Sequence, residues 1–295
     1  MSIFNKKKIL VTHNGTFHAD DIFATATLAI LLDNKIKVIR TRDEKIISKA
    51  DFVYDVGGID DAKTNHFDHH QIGGAGKREN GVPYASFGLV WKKYGETVCG
   101  SIEVAKKIDT KLVQAIDAND NGVNLFNLVG ETAPYTFQDI IFAYRPSWKE
   151  EPDYDKAFFE LVILAKKILE REIKKMQDEL EARTIVIKAY EKSEDKRIVI
   201  IDGSYPWGET LGSFSEPLYV VFPKTNTWRV ECVRKEKYSF ENRKSLPESW
   251  AGKRDKELVE ITGIPDATFC HNGRFMAVAN SKEGAIALAN KALLE

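Results

Sequence analysis

Five of the six histidines in this 295-residue chain fall within its first 70 residues, and they stand among aspartates. His13, His18 and Asp20 come first, then Asp55, then His66, Asp68, His69 and His70. Neutral imidazoles mixed with carboxylates at short spacings are the ligand set of a borderline divalent cation such as Mn²⁺. A carboxylate has two oxygens with which to join two ions, whereas an imidazole has one free lone pair, so Asp55 suits a bridging position. The run Asp68-His69-His70 sets three ligand-capable side chains in consecutive positions, which only a loop or strand end can direct to one place. The pattern reads as a two-metal hydrolase site, where the cations lower the pKa of bound water enough to supply hydroxide near neutral pH. His13, His18, Asp20, Asp55, Asp68 and His69 are the expected metal ligands. His69 or His70 is also suited to donate a hydrogen bond to a phosphoryl or leaving oxygen. His66 is placed to support a ligand from behind.

The elements that must position these residues alternate between strand and helix signals. Lys8 to Thr12, Lys37 to Thr41 and Asp51 to Val56 read as strands, and Asp21 to Leu32 as an apolar helix. Short apolar runs between helical patterns point to βαβ units and a parallel sheet. Ligands of such sheets gather at the carboxyl ends of the strands. His13 follows the first strand, Asp55 closes the third, and Asp68 ends a short Asn65-His66-Phe67 segment.

Further along, Gln71 to Pro83 is glycine-rich and reads as a loop, either a lid with Lys77 and Arg78 or an ordinary solvated connection. A helix is expected from Ser86 through Tyr94 with Gly95 at its end, and another from Ser101 toward Asn119, stopping at Gly122. The second ends with Asp117 and Asp120 on one face, where acidic groups oppose the helix dipole and a cation would relieve them. Asp117 therefore joins the expected metal ligands, with Asp120 the open alternative for that place. Arg145-Pro146-Ser147 through Pro152 reads as a boundary. Apolar residues from Phe158 to Leu180 then recur at helical spacing, predicting one long amphipathic connector whose stripe leaves a homo-oligomer open. Arg197 to Ile201, Leu218 to Phe222 and Trp228 to Val233 read as strands, Glu248 to Thr262 and Lys282 to Leu294 as helices, and Ala267 to Ala279 as strands around a turn. That turn, Cys270-His271-Asn272-Gly273-Arg274-Phe275, reads either as a phosphate-holding turn or as a plain β-hairpin. Trp207 and Trp228 read as core or surface aromatics, with base stacking as the other use.

Composition bounds the partners. With 43 basic against 44 acidic residues, the surface offers no general attraction to a polyanion, so any nucleic-acid contact is a local groove. The 3 cysteines, Cys99, Cys232 and Cys270, suggest neither a disulfide framework nor a thiolate zinc site. Met1 to Lys8 carries no signal or transit pattern, and no apolar run is long enough to span a bilayer. A cytoplasmic location is expected, with a nuclear one open, and no membrane partner.

The stretch Thr12-His13-Asn14-Gly15-Thr16-Phe17-His18-Ala19-Asp20-Asp21 resembles the N-terminal signature of the melanocyte-proliferating-gene (Myg1-type) family, relatives of the DHH phosphoesterase superfamily. Arg40-Thr41-Arg42-Asp43, Asp55-Val56-Gly57-Gly58, Asp68-His69-His70-Gln71 and Asp117-Ala118-Asn119-Asp120-Asn121-Gly122 extend the likeness, as do Pro206-Trp207 and Gly263-Ile264-Pro265. The resemblance implies an α/β protein with a parallel-sheet DHH-type catalytic domain over 1–145, a linker and long connector helix over 146–192, and a smaller α/β substrate-binding domain over 193–295. It implies two divalent metal ions and 3′-to-5′ exonuclease action on RNA or short oligonucleotides. Arg42, His271, Gly273 and Arg274 are then substrate contacts, and Asp55, His69 and His70 the catalytic set. His18 stands where the superfamily's first motif usually has an aspartate. The extra imidazole softens the site toward Mn²⁺, Zn²⁺ or Fe²⁺ over Mg²⁺. A small-molecule phosphatase or pyrophosphatase is the same-chemistry alternative. A metal-stabilised nucleotide-binding regulatory module with low turnover is the alternative of another class.

Overall fold

Lys8–Thr12 forms strand β1, and its Leu10, Val11 and Thr12 are buried, as the β-branched and apolar run requires. The computed structural model describes residues 7–128, 130–236 and 239–295; the reading of Met1 to Lys8 falls mainly on residues 1–6, outside the described residues. Helix α1 (Ala19–Leu31) follows, buried from Ala19 to Ala29. It begins before the expected Asp21, because the Asp21 carboxylate accepts the His18 amide at 2.9 Å and makes His18 the N-cap.

Strand β2 (Ile36–Arg40), the short helix α2 (Glu44–Ile47) and strands β3 (Phe52–Tyr54), β4 (Asp60–Asp61) and β5 (His66–Phe67) complete the first sheet. Its order is β2-β1-β3-β5-β4. β1 pairs in parallel with β2 and β3, and β3 with β5, in the registers Leu10↔Val38, Leu10↔Phe52 and Val53↔His66. Only the β4 edge is antiparallel within this sheet, as Asp60↔Phe67. Parallel pairing puts the carboxyl ends of β1, β3 and β5 on one edge of the sheet.

Helix α3 (Ser86–Cys99) packs against α1. It runs past the expected stop, because Gly95 serves close packing and not termination: a Cβ there would lie 2.8 Å from Trp91 Nε1. The expected single helix from Ser101 is three pieces in continuous succession. These are α4 (Ile102–Ile108), a π-helical turn at Asp109–Val113, and α5 (Gln114–Asp120). Helix α6 (Phe137–Ala143) was not expected, although Thr136 and Asp139 form a capping box that marks its start.

Helix α7 (Tyr154–Lys192) takes in the expected long helix, with Phe158, Leu161, Ala165, Leu169 and Val186 buried along its apolar stripe. The chain forms two compact units, Met1–Gln177 and Asp178–Glu295. In the second, β6 (Ile198–Ile200), α8 (Gly208–Gly212), β7 (Tyr219–Lys224), β8 (Thr227–Cys232), α9 (Asp255–Thr262), β9 (Ala267–Cys270), β10 (Met276–Ala279) and α10 (Lys282–Leu294) build a mixed sheet, ordered β6-β7-β8-β10-β9. The expected helix from Glu248 splits into a 3₁₀ turn, Glu248–Trp250, and α9. Trp250, Leu258, Tyr219 and Leu288 lie in that unit's core. Among the described residues, no helix is long and apolar enough to cross a membrane.

Candidate metal centre

Three parallel strands end on functional side chains. β1 delivers His13, β3 delivers Asp55 and β5 delivers Asp68, with His69 and His70 in the turn beyond. Asp55 sits at φ +56°, in the left-handed region that non-glycine residues seldom adopt, just ahead of Gly57 at +96°. That conformation costs free energy and persists where the surrounding structure imposes it, which is characteristic of functional sites.

The two carboxylate oxygens of Asp55 face different histidines. Oδ2 lies 3.1 Å from His13 Nε2, and Oδ1 lies 3.4 Å from His69 Nε2 and 3.6 Å from His70 Nδ1. His69 Nε2 is also 3.2 Å from Asp120 Oδ2, and His13 Nε2 is 3.3 Å from Asp21 Oδ2. Among the described residues, three sets converge closely enough for one ion each: His13, His18 and Asp55; Asp55, His69 and His70; and Asp20, His69 and Asp120. Asp55 belongs to two of these sets, and His69 to two. His13, His18, Asp55, His69, His70 and Asp120 line a cavity of about 480 Å³ that also takes in Thr16, Arg42, Asn119, Asn121, Gln138 and Phe142.

Burial sets the electrostatics. Asp20, Asp21, Asp55, Asp68 and Asp117 are all buried, a concentration of negative charge that low-dielectric surroundings strongly oppose. Burial holds Asp20 well above the usual carboxylate range and pushes Asp21 up to about 7. At Asp55 burial is overcome by the His13 and His69 imidazoles, which keep it ionised far below its ordinary value. His69 answers in kind: despite burial, Asp120 and Asp55 raise it to about 11. His18 goes the other way, lowered chiefly by burial. Asp68 raises His70 through its contact with Nδ1 at 2.7 Å.

A divalent cation fits these donors. Asp55 Oδ1, His69 Nε2 and Asp21 Oδ2 are buried without a partner of hydrogen-bond geometry. Ligands each at about 2.1 Å from one ion stand roughly 3.0–3.4 Å apart, depending on the coordination angle. Four of the imidazole–carboxylate separations fall in that range, from 3.1 to 3.4 Å.

A family model named MYG1_exonuc, described as "Uncharacterised protein family (UPF0160)", matches residues 9–293. The chain belongs to this family. It is 34% identical over 281 residues to a MYG1 protein of Chlamydia pneumoniae, with 92% of each chain covered. It is 30% identical to the MYG1 exonuclease of Homo sapiens, over 96% of this chain and 85% of that one. A MYG1 protein of Schizosaccharomyces pombe is 29% identical over 96% and 97% of the two chains. Among solved structures, RecJ in complex with Mn²⁺ from Thermus thermophilus is similar at 11% identity and a TM-score of 0.29, covering 98% of this chain and 52% of that chain. A likeness that slight carries no weight for the chemistry.

In this family member the expected site residues also make contacts of their own. Asp68 lies outside the three converging sets; its carboxylate accepts the Gly58 amide at 2.6 Å and the His69 amide at 2.8 Å while holding His70. Asp117 also lies outside them, whereas Asp120 lies within one. Asp117 Oδ1 accepts the Gly88 amide at 2.9 Å, and Oδ2 pairs with Arg78 at 2.7 Å. That Arg78 also grips Asp109 at 2.8 Å, so the glycine-rich loop is anchored by its arginine. Asp20 accepts the Ser86 and Phe87 amides at 3.0 and 2.6 Å and thereby caps α3. His66 contacts Thr64, away from the converging sets. Arg42 lines the cavity, steadied by the Asn14 carbonyl at 2.9 Å.

His271, Gly273 and Arg274 form the hairpin turn between β9 and β10, where the Gly273 amide donates to His271 Nδ1 at 2.9 Å and Arg274 takes φ +55°. Trp207 packs on Phe222 in a core cluster, and Trp228 lies beneath Lys282, its ring centroid 5.3 Å from Nζ. Asp21, Gln138 and Asn119 were not anticipated at the site. For Asp21 the signal was present: it is the third residue after His18, where a capping-box carboxylate belongs.

Proposed function

We propose that this chain is a metal-dependent phosphoesterase that removes nucleotides from the 3′ end of RNA or short oligonucleotides. The observation that carries the reading is Asp55: one buried carboxylate shared by two ligand sets, in a strained conformation at the carboxyl edge of a parallel sheet. The MYG1 exonuclease relatives support the same reading. His13, His18 and Asp55 would hold one ion, and Asp55 and His69 the other, with Asp20 and Asp120 converging on His69 as further ligands. Manganese suits this imidazole-rich set best. Bound divalent ions supply hydroxide at neutral pH and neutralise the phosphoryl charge.

The chain's own groups do the rest. Arg42 and the C-terminal His271, Gly273 and Arg274 are proposed as contacts to substrate phosphate or sugar. Asp68 holds Nδ1 of His70 and favours its imidazolium form, leaving Nε2–H to donate. A water oxygen bonds to the terminal phosphorus while the bond to the 3′ oxygen of the shortened chain breaks. His70 delivers the proton to that departing oxygen, and a 5′-mononucleotide leaves.

The test is Mn²⁺-dependent digestion of 5′-labelled RNA. A descending ladder with release of 5′-mononucleotides is expected. Hydrolysis of pyrophosphate or small phosphomonoesters with the RNA left intact would overturn the exonuclease reading in favour of a phosphatase. Tight nucleotide binding without turnover would overturn it in favour of a regulatory module.

A further inference from the structure

Helix α6 turns two different faces to its surroundings. Phe137 packs edge-on against Phe23 with ring centroids 5.1 Å apart, and Ile141 is fully buried, so this face anchors the helix. Gln138 and Phe142 sit one turn apart on a neighbouring stripe, and Arg145 follows two residues past the helix end. Gln138 and Phe142 line the cavity that holds His13, Asp55, His69 and Asp120. Phe142 is 46% exposed, an apolar ring left open beside an ionic cluster.

That ring is held in place. The Arg145 guanidinium lies over it, 4.2 Å from the centroid, and the same guanidinium donates to the Phe17 carbonyl. One face of Phe142 is therefore covered by a fixed cation, and the remaining apolar surface opens to the cavity. Gln138 is steadied as well: its Oε1 accepts the Ala19 amide at 3.2 Å, which leaves the carboxamide –NH₂ as its free donor. The cavity thus has an ionic end, with Arg42 and the histidines, and an aromatic end. Its volume of about 480 Å³ is within the size of small-ligand sites, roughly 300–1,000 Å³.

We infer that Phe142, backed by Arg145, is the platform on which the nucleobase of the reacting nucleotide stacks. The inference rests on the nucleic-acid reading above and adds how the base is held. Every base has a π face and the phenyl ring has no hydrogen-bonding group, so recognition at this point accepts all bases. The Arg145 cation on the far face strengthens the arrangement, because guanidinium and aromatic planes stack favourably.

The test is a calorimetric titration of the Mn²⁺-loaded full chain with adenosine 5′-monophosphate and, separately, with ribose 5-phosphate. These share the phosphate and sugar and differ in the base. Wild type is expected to prefer the nucleotide about tenfold or more, the effect of one base–aromatic stack. Phe142→Ala is expected to abolish the preference without weakening ribose 5-phosphate or changing the metal content, and Phe142→Trp to restore it. Phe142→Leu keeps the bulk without the π face and should behave like the alanine variant. Equal affinities in wild type, or equal weakening of both ligands in Phe142→Ala, would overturn the inference. Binding requires no turnover, so the two readings fail separately. A chain that shows the Phe142-dependent preference but does not digest RNA loses only the exonuclease reading. One that digests RNA without the preference loses only the platform.

Discussion

Asp55 Oδ1 and His69 Nε2 face each other at 3.4 Å, both buried and neither in hydrogen-bond geometry with any partner. Their separation matches that of two ligands each about 2.1 Å from one ion. Replacing Asp55 by Asn preserves shape and removes the charge that two ligand sets share. Asp55→Asn is expected to lower the metal content from about two ions per chain to one or fewer, and the hydrolytic rate by several orders of magnitude. Elemental analysis of the purified protein, with circular dichroism as the check on folding, reads this directly. Two retained ions would remove Asp55 from the bridging position.

Asp120 and Asp117 differ by one helical turn and should differ in consequence. Asp120→Asn is expected to lower metal content, whereas Asp117→Asn leaves it unchanged and alters stability. Burial pushes the Asp117 carboxyl up to about 7, against the pull of Arg78, from an ordinary value of 3.8. A folded-state pKa above the unfolded one contributes stability that is full below the unfolded value and is lost as pH rises through the folded value. Between about pH 5 and about pH 8, the urea midpoint of the wild type should therefore fall further than that of Asp117→Asn. Parallel profiles would show that Asp117 stays ionised throughout, held by Arg78.

Gly88 carries no side chain because the Asp117 carboxylate occupies its place. A Cβ there would lie 1.8 Å from Oδ2 and 2.9 Å from Arg78 Nη2. Gly88→Ala removes a helix-interior glycine, ordinarily a stabilising change, yet here it forces apart a buried ion pair. A net destabilisation of about 1–3 kcal/mol is expected, as for overpacking elsewhere. Urea denaturation measures it, and a stability equal to wild type would mean that Asp117 moves aside freely.

Much of the N-terminal unit was legible. The alternation of apolar strands and helices anticipated β1, α1, β2 and β3 closely, because each run has the length and periodicity of only one element. The convergence of His13, Asp55 and the Asp68-His69-His70 turn was legible for a topological reason: parallel strands end on the same edge. The end of α3 was not, because Gly95 reads as a stop signal and the structure uses it to admit the Trp91 ring. Helix α6, with Gln138 and Phe142, escaped notice because it is short and only its capping box announces it.

The sequence by itself determined which residue types could make a metal centre and which strand ends would carry them, since the placing of strand segments along the chain and side-chain chemistry are local properties. Tertiary structure decided which carboxylates face the cluster. Asp117 and Asp120 are equivalent by helical spacing, but the π-helical turn at Asp109–Val113 leads into α5 ahead of them, and a widened turn leaves little trace in periodicity. In the folded chain Arg78 and the Gly88 amide claim Asp117, while Asp120 meets His69. Asp68 likewise lies outside the converging sets, with its carboxylate holding His70. In both cases a buried carboxylate takes the donors that packing brings within reach, residues distant in the chain for Asp117 and mostly its own neighbours for Asp68.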